Sequence, residues 1–187
     1  MGGGGRVIIG CRDNKFFGQE RDEALKDLCD ELECGGDQVR VLYLDLARLN
    51  SVKTFCDNVV SDNDVIDVLI CNAGVMFHGS ETVTEDGLEV HFSVNYLGHF
   101  LMVQQLRPLL DRSKTPRVVA VSSILLRDGH VDIDNLGSPV RHDDDRRTNA
   151  TPQAYCDSKL MLTLFSQELQ RRAPNLSVFS VSPGWCR

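Results

Sequence analysis

The chain is poor in the marks of several protein classes. It has no Cys-x-x-Cys pair: Cys11, Cys29, Cys34, Cys56, Cys71, Cys156 and Cys186 are scattered and odd in number, giving neither a disulfide framework nor a zinc site. They read as reduced thiols in an intracellular protein, and Cys156 as a packing residue or a bystander. Basic residues are in deficit, 20 against 27 acidic, for a net charge of -7. That argues against a general nucleic-acid binder, which needs a basic face. No apolar run is long enough to span a bilayer, and the opening residues read neither as a signal peptide nor as a lipidation site. The expectation is a reducing intracellular compartment, cytoplasmic or membrane-associated in a longer form.

What is present fits one soluble globular domain of 187 residues, 42% hydrophobic and 25% charged. Short β-branched runs alternate with helical patterns. Val7 to Cys11 reads as a strand buried on both faces. A helix comes next, from about Gln19 to Leu32, with Ala24, Leu25, Leu28 and Leu32 at helical spacing and Gly35-Gly36 as its break. Val39 to Leu44 is the next strand. Val52, Phe55, Cys56 and Val59 stripe a second helix capped by Asn50 or Ser51. Val65 to Ile70 is a third strand, and a long helix is expected over Glu85 to Leu110, capped by Thr84 and stopped or kinked by Pro108. Arg117 to Val121 and Leu176 to Val181 are the last strands. Between them residues 127–151 form a polar surface insertion with a charge run, Arg141 to Arg147. A further helix carries Met161, Leu164, Phe165 and Leu169 toward the core.

Strands alternating with helices predict a doubly wound, Rossmann-like α/β fold with a parallel sheet. Ligands in such sheets bind beyond the carboxyl ends of the strands. The strand-end residues therefore draw attention: Arg12, Asp45, Asn72-Ala73-Gly74, Ser122-Ser123 and Pro183-Gly184. The helix after the insertion holds Tyr155 and Lys159 four residues apart, on one helical face. A cation beside a phenol stabilises phenolate and equips it for proton transfer. Asn95, on an apolar face with Leu88 and Phe92, needs a polar partner: a functional group, or equally the backbone of a neighbouring strand. Ser122-Ser123 and Asn72-Ala73-Gly74 also fit plain turns. His91 and His99 have no partners at ligand spacing and read as packing or surface residues.

Asp45-Leu46, Asn72-Ala73-Gly74, Asn95, Ser122-Ser123, Tyr155-x-x-x-Lys159 and Pro183-Gly184, in this order, resemble the short-chain dehydrogenase/reductase family. Thr84 to Glu89 and Asn95 to Phe100 resemble its retinol dehydrogenase and WW-domain oxidoreductase-like branch. The resemblance runs from Gly5 onward. It implies Tyr155 as proton donor and acceptor, Lys159 beside it and on the nicotinamide ribose, Ser123 on the substrate oxygen, and Asn95 holding a water. It places Asn72, Ala73 and Gly74 beside the adenosine and ribose, Asp45-Leu46 by the adenine, and Pro183 and Gly184 at the nicotinamide. Arg12, ahead of Asp13, implies NADP(H) over NAD through the extra phosphate. The implied substrate is a small lipophilic alcohol or carbonyl such as a retinoid, and a homodimer through the long and tyrosine helices is a further expectation.

The family's opening strand and its Thr-Gly-x-x-x-Gly-x-Gly turn have no counterpart, since Gly2 to Gly5 run directly into the Val7 strand. A last strand is missing too. The expected result is one partial domain, 1–187, of marginal stability and weak NADP(H) affinity. The alternative activity is a catalytically silent isoform that acts only by binding another protein.

Overall fold

A computed structural model describes residues 5–12, 15–16, 19–31, 38–76, 83–138 and 153–184. Asp13, Leu32, the Gly35-Gly36 break and the Arg141–Arg147 run lie outside these residues, as do the side chains expected to stripe the first helix. The chain forms two compact units, Met1–Asp45 and Leu46–Arg187.

In the first unit, β1 (Val7–Cys11) pairs in parallel with β4 (Val39–Tyr43), in a register that sets Val7 against Val39 and Cys11 against Tyr43. Between them a short antiparallel pair, β2 (Lys15–Phe16) and β3 (Gln19–Glu20), leads into α1 (Arg21–Glu31). Burial of β1 on both faces is not observed. Val7 is exposed, and Ile8 and Ile9 are half-buried. A two-stranded ribbon leaves an open edge on each strand and cannot bury both of its faces.

The second unit contains α2 (Leu49–Asp62), β5 (Val68–Cys71), α3 (Val90–Phe92), a π-helical turn at Ser93–Leu97, α4 (Gly98–Leu110), β6 (Arg117–Val121), two 3-10 turns (Ile124–Asp128 and Ile133–Asn135), α5 (Gln153–Arg172) and β7 (Ser177–Val181). The three strands form a parallel sheet in the order β5-β6-β7, with Ile70, Val119 and Phe179 in one row. This is the Rossmann-like α/β arrangement with a partial sheet. Cys71, Val118 and Ala120 point to the face that α4 and α5 cover, and are buried. Val68, Ile70, Phe179 and Val181 point the other way and are exposed.

The stripe Val52, Phe55, Cys56 and Val59 of α2 is buried as its spacing predicts, and α2 packs on α4, whose Met102, Val103, Leu106, Leu109 and Leu110 are buried. Burying a side chain of this size stabilises the fold by about 1.5–3 kcal/mol. The cap of α2 differs from expectation. Arg48 is the N-cap and makes no side-chain cap bond, while Asp86 accepts from the Leu49 amide at 2.8 Å. An acceptor from a distant loop has replaced a local one.

The long helix also begins later than expected. Gly87 adopts φ 75°, a left-handed value incompatible with helix, so Thr84 to Leu88 form a turn in which the Thr84 hydroxyl accepts from the Leu88 amide. Glu89 is the true N-cap, and its carboxylate accepts from the Phe92 amide at 2.7 Å. On α5 the buried stripe is Ala154, Ser158, Leu162 and Leu169, and Leu164 is exposed rather than core-facing. Phe165 stacks instead into a half-buried cluster with Tyr96 and Phe100.

Candidate active site

Tyr155 and Lys159 lie on the first turns of α5, and the Lys159 ammonium sits 5.7 Å from the centre of the Tyr155 ring. Only 5% of Lys159 is exposed, and its Nζ donates to the Val121 carbonyl, the last of β6, at 2.8 Å. Burial disfavours the charged ammonium and pulls its pKa from 10.5 down to about 8.

Asn95 is fully buried in the π-helical turn. Its Oδ1 accepts from the Val75 amide at 2.7 Å, and its Nδ2 donates to the Val75 carbonyl and to Ser158 Oγ, both at 3.0 Å. Ser158 in turn donates to the Tyr155 carbonyl at 2.7 Å. The polar partner of Asn95 is therefore the segment just after β5, together with a hydroxyl of the tyrosine helix. A π-helical turn, closed here by the Gly98 amide on the Ser93 carbonyl, widens the helix by one residue.

The segment Asn72, Ala73 and Gly74 leaves the end of β5 exposed to solvent. A Cβ on Gly74 would come within 3.2 Å of both Asn95 Oδ1 and Lys159 Nζ. The missing side chain is what lets the lysine head and the amide approach this backbone. Ser122 is buried and donates to the Lys159 carbonyl at 3.0 Å, fixing the start of α5 on β6. Ser123 caps the following 3-10 turn by accepting from the Leu125 amide at 3.3 Å, which leaves its hydroxyl hydrogen for another acceptor. Pro183 and Gly184 come after β7 and are exposed, Gly184 with φ 79°. Leu46 is buried, and its carbonyl accepts from the Ser93 hydroxyl at 3.4 Å.

Arg12 and Asp45 belong to the first unit. The parallel register of β1 and β4 places both at the same end of that ribbon, Arg12 exposed and Asp45 half-buried. The structure thus brings together Tyr155, Lys159, Asn95 and Gly74 within the second unit.

Both histidines of the long helix have partners that sequence spacing did not reveal. His91 is buried, donates from Nδ1 to Glu89 at 2.6 Å, and meets the Tyr155 ring edge-on, with centroids 6.4 Å apart. Burial pushes the Glu89 carboxyl up, but hydrogen bonds from His91 and the Phe92 amide outweigh it, and its pKa is lowered. His99 is 2% exposed, and its Nε2 donates to the Ala73 carbonyl at 2.8 Å. Its pKa falls to about 4, chiefly by desolvation, with the Ala73 bond opposing and Lys159 adding to the shift. The i+2 spacing from the Glu89 cap was the one available signal for His91. For His99 there was none, because its partner lies 26 residues away on another element. The buried thiol of Cys71 is pushed up to about 12 and is inert as a nucleophile at neutral pH.

The short chain dehydrogenase family matches residues 12–132. The chain is 40% identical over 190 residues to retinol dehydrogenase 14 of Mus musculus, covering 98% of this chain and 54% of the relative. It is 39% identical over 189 residues to the WW domain-containing oxidoreductase of Gallus gallus, covering 97% of this chain and 43% of that one. Among solved structures, an alcohol dehydrogenase from the archaeon Thermococcus sibiricus complexed with 5-hydroxy-NADP shares the fold, with a TM-score of 0.69 at 19% identity, over 97% of this chain and 66% of that one. The chain spans about half the length of the curated relatives it matches. From Arg12 to Asp132 its sequence follows the family pattern, and the relatives with which it aligns along almost all of its length are oxidoreductases of the retinol dehydrogenase branch: this chain belongs to the short-chain dehydrogenase family.

Proposed function

We propose that the chain carries the catalytic half of an NADP(H)-dependent oxidoreductase acting on a lipophilic alcohol or carbonyl. The observation that carries this reading is the buried Lys159 ammonium beside the Tyr155 ring, braced by Asn95 through Ser158. The residues fit a nicotinamide cofactor. An ammonium has three donors, and Val121 takes one, leaving donors for the hydroxyls of a ribose. The exposed Asn72-Ala73-Gly74 backbone offers a flat surface to an adenosine group. When bound, NADP(H) supplies or accepts the hydride.

The chain's own part is proton handling and alignment. Tyr155 gives its phenolic proton to the substrate oxygen on reduction and takes one from it on oxidation, with the Lys159 ammonium beside its ring. Ser123 uses its hydroxyl hydrogen to hold the substrate oxygen beside Tyr155. Asn95 fixes the distance between the cofactor-side turn and α5, and holds a water on the proton path from Lys159. Family resemblance alone assigns Leu46 to the adenine and Pro183 and Gly184 to the nicotinamide, and, in the first unit, Asp45 to the adenine and Arg12 to a ribose phosphate. The retinoid class of substrate is supported by the names of the relatives, and a homodimer through α4 and α5 by family resemblance.

NADPH oxidation with retinal and short aldehydes tests the reading, run beside Tyr155→Phe. A rate that falls by at least about 100-fold in the variant is expected for loss of a general acid. Equal rates in the two proteins would favour the binding-only alternative.

A further inference from the structure

His99 is buried, yet it is no ordinary core side chain. Its Nε2 hydrogen is committed to the Ala73 carbonyl, while Nδ1 is buried with no hydrogen-bond partner among the described residues. A phenylalanine or leucine would fill such a position without desolvating a nitrogen. What the imidazole provides that an apolar residue cannot is the bond to Ala73. Four residues before it, Asn95 grips Val75 at both its amide and its carbonyl. Residues 95 and 99 thus lie one above the other on the helix and hold three backbone atoms of a single three-residue stretch. Ala73 and Gly74 are exposed and Val75 is half-buried.

We infer that His99 is a positioning residue which, together with Asn95, presets the backbone of Ala73 to Val75 for the cofactor. The inference rests on the cofactor reading given above. The two side chains act as one clamp on this turn. It lowers the ordering that binding must supply, since a turn already fixed loses little freedom when a ligand settles on it. Without His99, Asn95 fixes only Val75 and the β5 ladder only Cys71, which leaves Asn72 to Gly74 unanchored by these bonds. The second point, one residue beyond the glycine, removes that freedom.

The Val75 amide is a built-in reporter, because its hydrogen goes to Asn95 and not to His99. Amide exchange followed by NMR in the cofactor-free chain should show it exchanging about 5–10-fold faster in His99→Phe, the loss expected for one net hydrogen bond. In His99→Gln, whose amide places a donor near the Nε2 position, the rate should return to within about 3-fold of wild type. The amides of Val103 and Leu106 on α4 should not change. Acceleration spread equally over α4 would mean that His99 serves only the core, and unchanged Val75 exchange would mean that it holds nothing; either overturns the inference. Fluorescence titration with NADPH supplies the second readout: about 5–10-fold weaker binding in His99→Phe, restored in His99→Gln. Equal affinity of His99→Phe and wild type also overturns it. Should the wild-type chain show no NADPH binding, the cofactor reading fails, and Val75 exchange alone decides whether His99 positions the turn.

Discussion

Asn95 and Val75 exchange a pair of hydrogen bonds, amide to Oδ1 at 2.7 Å and Nδ2 to carbonyl at 3.0 Å. A side chain here imitates a strand neighbour and closes the end of β5 onto a helix. Replacing it by leucine would keep most of the volume and leave the Val75 amide, the Val75 carbonyl and the Ser158 hydroxyl without this partner. Asn95→Leu should lower unfolding free energy by about 2–4 kcal/mol in urea titration. A loss under about 0.5 kcal/mol would show that water replaces all three bonds.

The burial of Lys159 has a pH signature. Its folded pKa of about 8 lies below the ordinary 10.5. Below pH 8 both folded and unfolded chains carry the proton, and the burial penalty is fully present. As pH rises from 8 to 10.5 the folded chain sheds its proton first, so the unfolded chain binds more protons and stability increases. Wild type should therefore gain up to about 3 kcal/mol relative to Lys159→Met across that window. A difference independent of pH would mean that the ammonium is well solvated.

His99 acts in the acid range. Its folded pKa of about 4 lies below the ordinary 6.5, so the neutral imidazole stabilises the fold above pH 6.5 and that contribution is lost as pH falls toward 4. Relative to His99→Gln, wild type should lose up to about 3 kcal/mol over this interval. Thermal melts of the two proteins along the acid limb check this, and parallel curves would count against it.

Gly137 is constrained twice, by φ 69° and by a virtual Cβ 2.6 Å from the Phe92 ring. Gly137→Ala must strain the backbone and displace a buried ring at once. The expected cost is about 2–4 kcal/mol. Circular dichroism melts would reveal it as a lower midpoint, and an unchanged midpoint would show that the loop moves aside freely.

The parallel strands and α2 were legible because local chemistry decides them, whereas the short β2–β3 pair, where a helix was expected from Gln19, was not. β-branched runs such as Val118-Val119 and the stripe Val52, Phe55, Cys56 and Val59 keep one period from end to end. The Tyr155–Lys159 pair was legible for the same reason, a fixed spacing within one helix. What sequence concealed depends on other parts of the chain. Asp86 caps α2 from 37 residues away, and Ala73 partners His99 from 26. Leu164 shares a face with Met161 and Phe165, whereas the buried stripe runs through Ala154, Ser158, Leu162 and Leu169, and apolar letters on both faces did not tell them apart. The late start of the long helix turned on Gly87 taking a left-handed φ. An α-helix also tolerates a glycine at modest cost, so the letter alone did not mark the break.

The π-helical turn at Ser93–Leu97 joins α3 on its N-terminal side to α4 on its C-terminal side. Deleting one residue there would let the segment close as ordinary α-helix, and the wide turn would vanish while the turns on either side kept their phase. His91 would keep the edge of the tyrosine ring and Glu89 its buried cap. The change would fall on Asn95, whose place inside the wide turn sets its reach to Val75.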